Sequence, residues 1–377
     1  MHPPPNLVRN SPDPAGLDSL SRPSHGGNIV WAAQLAKCSP QAILDFSASI
    51  NPLGLPAIAL ATLQQHLSSL VTYPDPQYHE LRQAIAAFHQ VSPDWVLPGN
   101  GAAELLTWAG RELAEQSVVY LSVPAFKDYR RALLAFGATV VPVFGHFAPK
   151  VEVALPNRAL AAQQAAGLLI NNPHNPTGQL WSRADLLPYL EAFALVVVDE
   201  AFMDFLPEDT EQSLIPWVEQ YPNLVVVRSL TKFYSLPGLR LGYAIAHPER
   251  LQRWQQWRDP WSVNTLAAAV GSAVLTDRDF QQQTWNWLAQ AKPALFNGLD
   301  NLPGLHPQPG AANFLLVRAD HSVCLLQEQL LKHHQILIRD CLSFAELGDR
   351  YFRVAVKTTA ENQRLLDGLA RIIHSAE

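Results

Sequence analysis

The run FALVVVDEAF, residues 193–202, decides the fold: six apolar residues in a row, then an acid. A strand with no polar position has to be covered on both faces, which is how the strands of a parallel sheet between helices are built. The runs GLLINNPHNPTG at 167–178 and LVVVRSLTK at 224–232 repeat the design, each apolar and then abruptly polar. Further strands are predicted over 118–122, 139–144 and 242–246, and helices over 102–115, 126–136, 183–192 and within 279–299. This alternation, running from about residue 57, is that of an α/β protein with a mainly parallel central sheet flanked by helices. After about residue 290 the pattern changes to strands at 313–317 and 352–356 and helices at 322–334 and 359–373, which predicts a smaller α+β C-terminal domain.

Bulk properties narrow the function. With 377 residues, 48% of them hydrophobic, the chain can fill a main core and a second, smaller one. A net charge of -6 offers no general attraction to nucleic acid or to an anionic membrane. The most apolar stretch, 193–198, falls far short of the roughly 20 residues needed to cross a bilayer. Cys38, Cys324 and Cys341 are odd in number and widely spread, which argues against a disulfide framework and against a zinc site; no metal and a cytoplasmic location are expected. Residues 1–24, rich in proline and serine, read as a disordered leader.

In open sheets, ligands bind beyond the carboxyl ends of the strands. The polar residues after 170, 198 and 228 are therefore expected to converge. Lys232, with Ser229 and Thr231 before it and Arg240 after it, sets a lysine among phosphate-binding side chains. A lysine whose charge is suppressed by burial or by a nearby cation can attack an aldehyde, although a lysine after a strand is more often a solvated surface group. Asp199 can pair with a protonated ring nitrogen, or simply cap a helix. Asn175 offers an amide within a proline-rich turn. Gly101 and Ala102 open a helix whose free N–H groups suit a phosphate, and Phe126 can stack on a planar ring or fill the core. Arg353, set among apolar strand residues, and Arg339, after the 336–338 run, call for anionic partners. In HGGN, residues 25–28, two glycines allow close approach to a ligand while His25 and Asn28 supply donors; the alternative is a glycine hinge.

Asn175, Asp199, Lys232 and Arg240, in this order, resemble the class I and II aminotransferase superfamily over nearly the whole chain. The resemblance implies a fold type I pyridoxal-phosphate enzyme. It makes Lys232 the lysine that holds the cofactor as a Schiff base, Asp199 the partner of the pyridine nitrogen, Asn175 a contact of the cofactor's 3-oxygen and Phe126 its stacking ring. Ser229, Arg240, Gly101 and Ala102 become the phosphate cup and Arg353 the clamp for the substrate carboxylate. Tyr73, in a TYPD run, resembles a tyrosine that reaches the phosphate in the neighbouring subunit, which implies a homodimer. The domain layout that follows is a leader at 1–24, an N-terminal arm at 25–56 contributing to the small domain and the active site, a large cofactor-binding domain at 57–290 and a small C-terminal domain at 291–377. One departure stands out: where family members commonly carry a tyrosine three residues after the aspartate, this chain has Phe202.

Two branches of the superfamily fit the remaining residues, histidinol-phosphate aminotransferases and the L-threonine-O-3-phosphate decarboxylases of cobalamin biosynthesis. HGGN at 25–28, DFSASINPLG at 45–54, DEAF at 199–202 and PWSVN at 260–264 resemble the decarboxylases. The expected substrate is thus a phosphorylated amino acid, gripped by His25, Asn28, Asn51, Arg339, Arg353 and Asn175, with Lys232 and Asp199 as the catalytic pair.

Overall fold

The structure, a computed structural model, describes residues 22–146, 151–159 and 165–376. The arm supplies α1 (Ile29–Ala36) and the short strand β1 (Leu44–Asp45). Then come α2 (Ala57–His66), α3 (His79–His89), β2 (Val96–Asn100), α4 (Ala102–Leu113), β3 (Val119–Val123), α5 (Lys127–Leu134), β4 (Val140–Phe144) and β5 (Gly167–Asn171). They are followed by α6 (Arg183–Ala192), β6 (Leu195–Asp199), β7 (Leu224–Ser229), the one-turn α7 (Leu230–Phe233) and β8 (Leu241–Ala246). Next are α8 (Pro248–Trp257), α9 (Thr265–Val274) and the long α10 (Arg278–Asp300). The C-terminal part holds β9 (Leu305–Pro307), β10 (Phe314–Ala319), α11 (Val323–His334), β11 (Ile336–Leu337), β12 (Arg339–Asp340), β13 (Tyr351–Ala355) and α12 (Thr359–Ala376).

Seven strands form the central sheet in the order β2-β8-β7-β6-β5-β3-β4, with only β8 running against its neighbours. The apolar run that opens the sequence argument becomes β6. Its Val196 and Val198 enter the core on one face and Leu195 and Val197 the core on the other, as the two-residue period of a strand requires. Each such buried valine or leucine contributes about 1.5–3 kcal/mol of burial energy, so both faces drive the sheet together. α6 begins with a capping box in which Ser182 and Asp185 bond each other's backbone N–H groups.

Two elements differ from the sequence-based expectation. β2, not foreseen, carries Pro98 and Gly99; proline is tolerated because β2 is an edge strand, and Pro142 sits in the opposite edge strand β4. Between β6 and β7, parallel strands of the kind a helix usually connects, the chain makes only two short 3-10 turns, Met203–Phe205 and Ile215–Trp217. Pro207, Pro216 and Pro222 interrupt any longer helix there.

The smaller C-terminal domain is a four-stranded antiparallel sheet, β12-β13-β10-β9, covered by α11 and α12. The arm joins it: β1 pairs in parallel with β11, Leu44 opposite Ile336 and Asp45 opposite Leu337. Of the predicted leader, residues 1–21 lie outside the described residues. Arg22 donates to the Gln327 side chain at 2.5 Å, and the Ser24 carbonyl accepts from Arg339 at 2.6 Å. Among the described residues no helix is long and apolar enough to cross a membrane, no cluster could hold a metal ion, and Cys38, Cys324 and Cys341 are free thiols.

Candidate active site

The carboxyl ends of β5, β6 and β7 meet at one place, with Asn171 registered against Asp199 and Asp199 against Val227. Above them opens a cavity of about 350 Å³ lined from both domains and from the arm. Lys232, Asp199, Asn175, Phe126, Arg240, Arg353, Arg339 and His25 all line it. A larger cavity between α11 and α12, lined by Leu325, His333 and Ile372 among others, shares none of these groups.

Lys232 follows β7 directly, so the end of a buried strand fixes its Cα. Its Nζ lies 3.5 Å from Ser229 Oγ and 5.2 Å from the centre of the Phe202 ring. Burial holds its ammonium below the ordinary lysine range; Asp199 opposes this, while Arg240 and Arg353 add to it. Asp199 is the last residue of β6. Its Oδ1 accepts the Ala201 N–H at 2.9 Å and its Oδ2 the Tyr129 hydroxyl at 2.7 Å. Burial raises the pKa of this carboxyl, against the pull of Lys232, Tyr129 and the Ala201 amide.

The predicted phosphate cup is a nest of donors. Gly101, at φ +73°, precedes α4, and the Arg240 guanidinium packs so close that a Cβ on Gly101 would lie 2.6 Å from Arg240 Nη2. A Cβ on Gly242 would lie 2.6 Å from the Ala102 nitrogen, so glycine is needed at both places. Ser229 and Thr231 share a hydroxyl hydrogen bond of 2.8 Å beside Lys232. A lysine, an acid for a ring nitrogen, an aromatic wall and this nest together fit a phosphorylated pyridine aldehyde.

Facing the nest are two arginines from the small sheet. Arg353 of β13 and Arg339 of β12 are register partners. Arg353 is only 8% exposed; it donates to Asn175 Oδ1 and to the Ser47 carbonyl at 3.0 Å, and lies 4.8 Å over the Phe314 ring. Its Nε is buried without a partner. The alternative of a solvated edge-strand arginine is thereby excluded, since β13 lies between β12 and β10. Burial, with Arg339 adding to it, lowers the Arg353 pKa to about 10. Arg339 donates to the Ser24 carbonyl at 2.6 Å and to Ser343 Oγ at 2.5 Å. His25 meets Phe126 edge-on at 5.6 Å and lies 3.9 Å from Asp128; burial lowers its pKa and Asp128 opposes that.

Two predicted residues, Asn51 and Asn28, stand elsewhere than expected. Asn51 does not reach the cavity: it is buried, its amide donates to the Phe233 carbonyl and to Thr284 at 2.8 Å each, and its own N–H donates to the Lys232 carbonyl. It fastens the arm to α7 and α10 instead of holding a ligand. Asn28 caps α1 by accepting the Trp31 N–H at 3.0 Å and lines only a small annexe beside the cavity. Gly26 lines the cavity and at the same time lies against the Ser47 carbonyl. Tyr73 is 78% exposed and stacks on Trp261 at 4.5 Å, outside the cavity of its own chain. Sequence reasoning missed Tyr129, Ser47 and Asn171. Tyr129 had a signal, one helical turn after Phe126; Ser47 was quoted within its motif but given no role.

Comparison with known proteins adds the lineage. The aminotransferase class I and II family model matches residues 41–369. A threonine-phosphate decarboxylase of Salmonella typhimurium is 38% identical over 94% of this chain and 98% of its own length. A histidinol-phosphate aminotransferase of Symbiobacterium thermophilum is 35% identical over 85% of this chain and 87% of its own. The solved histidinol-phosphate aminotransferase of Sinorhizobium meliloti, in complex with pyridoxal-5'-phosphate, has the same fold, with a TM-score of 0.82 at 23% identity over 93% of this chain and 95% of that one.

Proposed function

The chain belongs to the aminotransferase class I and II family, and on that premise we propose that it is a pyridoxal-phosphate enzyme that decarboxylates L-threonine O-3-phosphate to (R)-1-amino-2-propanol O-2-phosphate, a building block of the cobalamin nucleotide loop. The observation that carries the choice of substrate is the pairing of Arg339 with Arg353 across two neighbouring strands, both opening into one cavity. Two guanidinium groups side by side suit a substrate with two anionic ends, a carboxylate and a phosphate. Histidinol phosphate has a phosphate and no carboxylate, but the 2-oxoglutarate of an aminotransferase has two anionic ends as well, so the pair supports the substrate and the CO₂ measurement decides the reaction.

Pyridoxal phosphate, when bound, takes up the electron pair left on the carbon that loses its carboxylate. Lys232 Nζ would hold the cofactor at its aldehyde carbon, and Ser229, Arg240 and the backbone of Gly101 and Ala102 would hold its phosphate. Asp199 would keep a proton on the ring nitrogen, Phe126 would cover the ring and Asn175 would face the 3-oxygen. Arg353 orients the substrate carboxylate, while Arg339 and His25 grip its phosphate, so that remote binding energy sets which bond is cleaved. Lys232 Nζ would hold the proton that replaces the departing CO₂ on Cα. Phe202 offers no hydroxyl, so Asn175 would be the donor toward the 3-oxygen.

The exposed Tyr73–Trp261 stack, with Leu67, Leu70 and Val71 also exposed nearby in sequence, supports a homodimer in which each Tyr73 serves the other subunit's site. Three free thiols suit a reducing cytoplasm. Supplying threonine phosphate to the loaded enzyme and measuring CO₂ tests the reaction directly. Glutamate formed from 2-oxoglutarate with histidinol phosphate or threonine phosphate as the amino donor, without CO₂, would establish transamination instead.

A further inference from the structure

The first turn of α5 carries two groups toward the same place. Phe126, its N-cap, lines the cavity, and Tyr129, three residues on, is 3% exposed with its ring edge-on to Phe126 at 5.5 Å. The Tyr129 hydroxyl donates to Asp199 Oδ2 at 2.7 Å, and the other carboxylate oxygen is held by the Ala201 amide. Asp199 is thus fixed by two donors from different elements. Both favour the ionised carboxylate, against a burial that favours the neutral acid.

We propose that Tyr129 is a positioning residue that aims the Asp199 carboxylate and keeps it ionised, so that one helical turn sets both the ring wall and the ring-nitrogen acid of the cofactor site. The inference rests on the reading of Asp199 as the partner of the pyridine nitrogen. Tyr129 also lines the cavity, but its hydroxyl is engaged by Asp199 and acts through that carboxylate. With the donor removed, Asp199 holds a proton more tightly, the ring nitrogen carries less positive charge, and the nitrogen that links the cofactor to Lys232 becomes more basic.

The test is a pH titration of the cofactor absorbance band in the full-length loaded enzyme, with cofactor affinity measured by equilibrium dialysis. Tyr129→Phe removes one oxygen and adds no atom; it is expected to raise the midpoint by about half a unit or more and to weaken cofactor retention about tenfold. Tyr129→His, which restores a donor, should bring the midpoint back toward wild type. In an Asp199→Asn background, Tyr129→Phe should change the midpoint no further, as coupling through one residue demands. An unchanged midpoint in Tyr129→Phe, or the same shift in both backgrounds, would overturn the role of Tyr129 and leave the cofactor site standing. A wild-type enzyme that takes up pyridoxal phosphate without gaining a band would bring down the site reading and this inference together.

Discussion

A Cβ placed on Gly26 would lie 2.2 Å from the carbonyl oxygen of Ser47. This contact seats the arm against the site: Ser47 Oγ accepts the Gly27 N–H at 2.7 Å, and the same Ser47 carbonyl accepts from Arg353. Gly26→Ala should therefore push His25 out of place. A fall of about tenfold in kcat/KM for the phosphorylated substrate is expected, carried mainly by KM, with little change in cofactor binding. Steady-state kinetics beside cofactor titration would check it; unaltered kinetics would mean that the arm takes no part in substrate binding.

Arg339→Gln keeps a donor but removes the charge and the fork. Loss of about a hundredfold in kcat/KM is expected for threonine phosphate, and a much smaller loss for unphosphorylated threonine. Competition between the two substrates reads the ratio directly. Equal losses on both would assign Arg339 to the fold and not to the phosphate.

The depressed pKa of Lys232 has a sign that can be measured. The uncharged amine is the form that attacks an aldehyde, so uptake of pyridoxal phosphate by the apoprotein should rise with pH through a midpoint below the ordinary lysine value of about 10.4. Arg240 is one of the cations that lower it, so Arg240→Gln should move that midpoint upward. Stopped-flow absorbance would follow it, and a midpoint that stays or falls in the variant would contradict the assignment.

Stability has its own test at Arg228, which is buried beneath the sheet's carboxyl end. It lies 3.0 Å from Glu200, 2.5 Å from Asp204 and 3.7 Å from Glu211. Arg228→Ala strands these acids, and a loss of about 3–5 kcal/mol is expected from the urea midpoint. Arg278→Ala, which removes an exposed partner of Glu208, should cost no more than about 1 kcal/mol.

The sheet and the convergence of Asn175, Asp199 and Lys232 were legible because unbroken apolar runs can only be two-sided strands, and because ligands gather at their carboxyl ends. β2 was not legible, since Pro98 and Gly99 mask a strand whose edge position makes them tolerable. From sequence alone Asn51 reads as a ligand group, and the packing of Gly26 on Ser47 is invisible, because a buried amide and a close-packed glycine serve a neighbouring chain segment and a bound molecule by the same chemistry. Only the packing partner tells them apart, and Phe233, Thr284 and Ser47 come from distant or unpatterned parts of the sequence. Tyr129 escaped notice because a tyrosine on the buried face of a helix looks like core until the acid opposite it is known.

The parallel pairing of β1 with β11 has a consequence for how the molecule comes into being. During synthesis the arm leaves the ribosome early, yet its strand has no partner until residues 336 and 337 follow, and Arg353 comes later still. The half of the cavity that would hold substrate therefore closes last, through contacts of very long sequence separation, whereas the central sheet can form first from neighbouring segments. A nascent chain halted before β13 would present a finished floor for the cofactor and no walls to choose what is done with it.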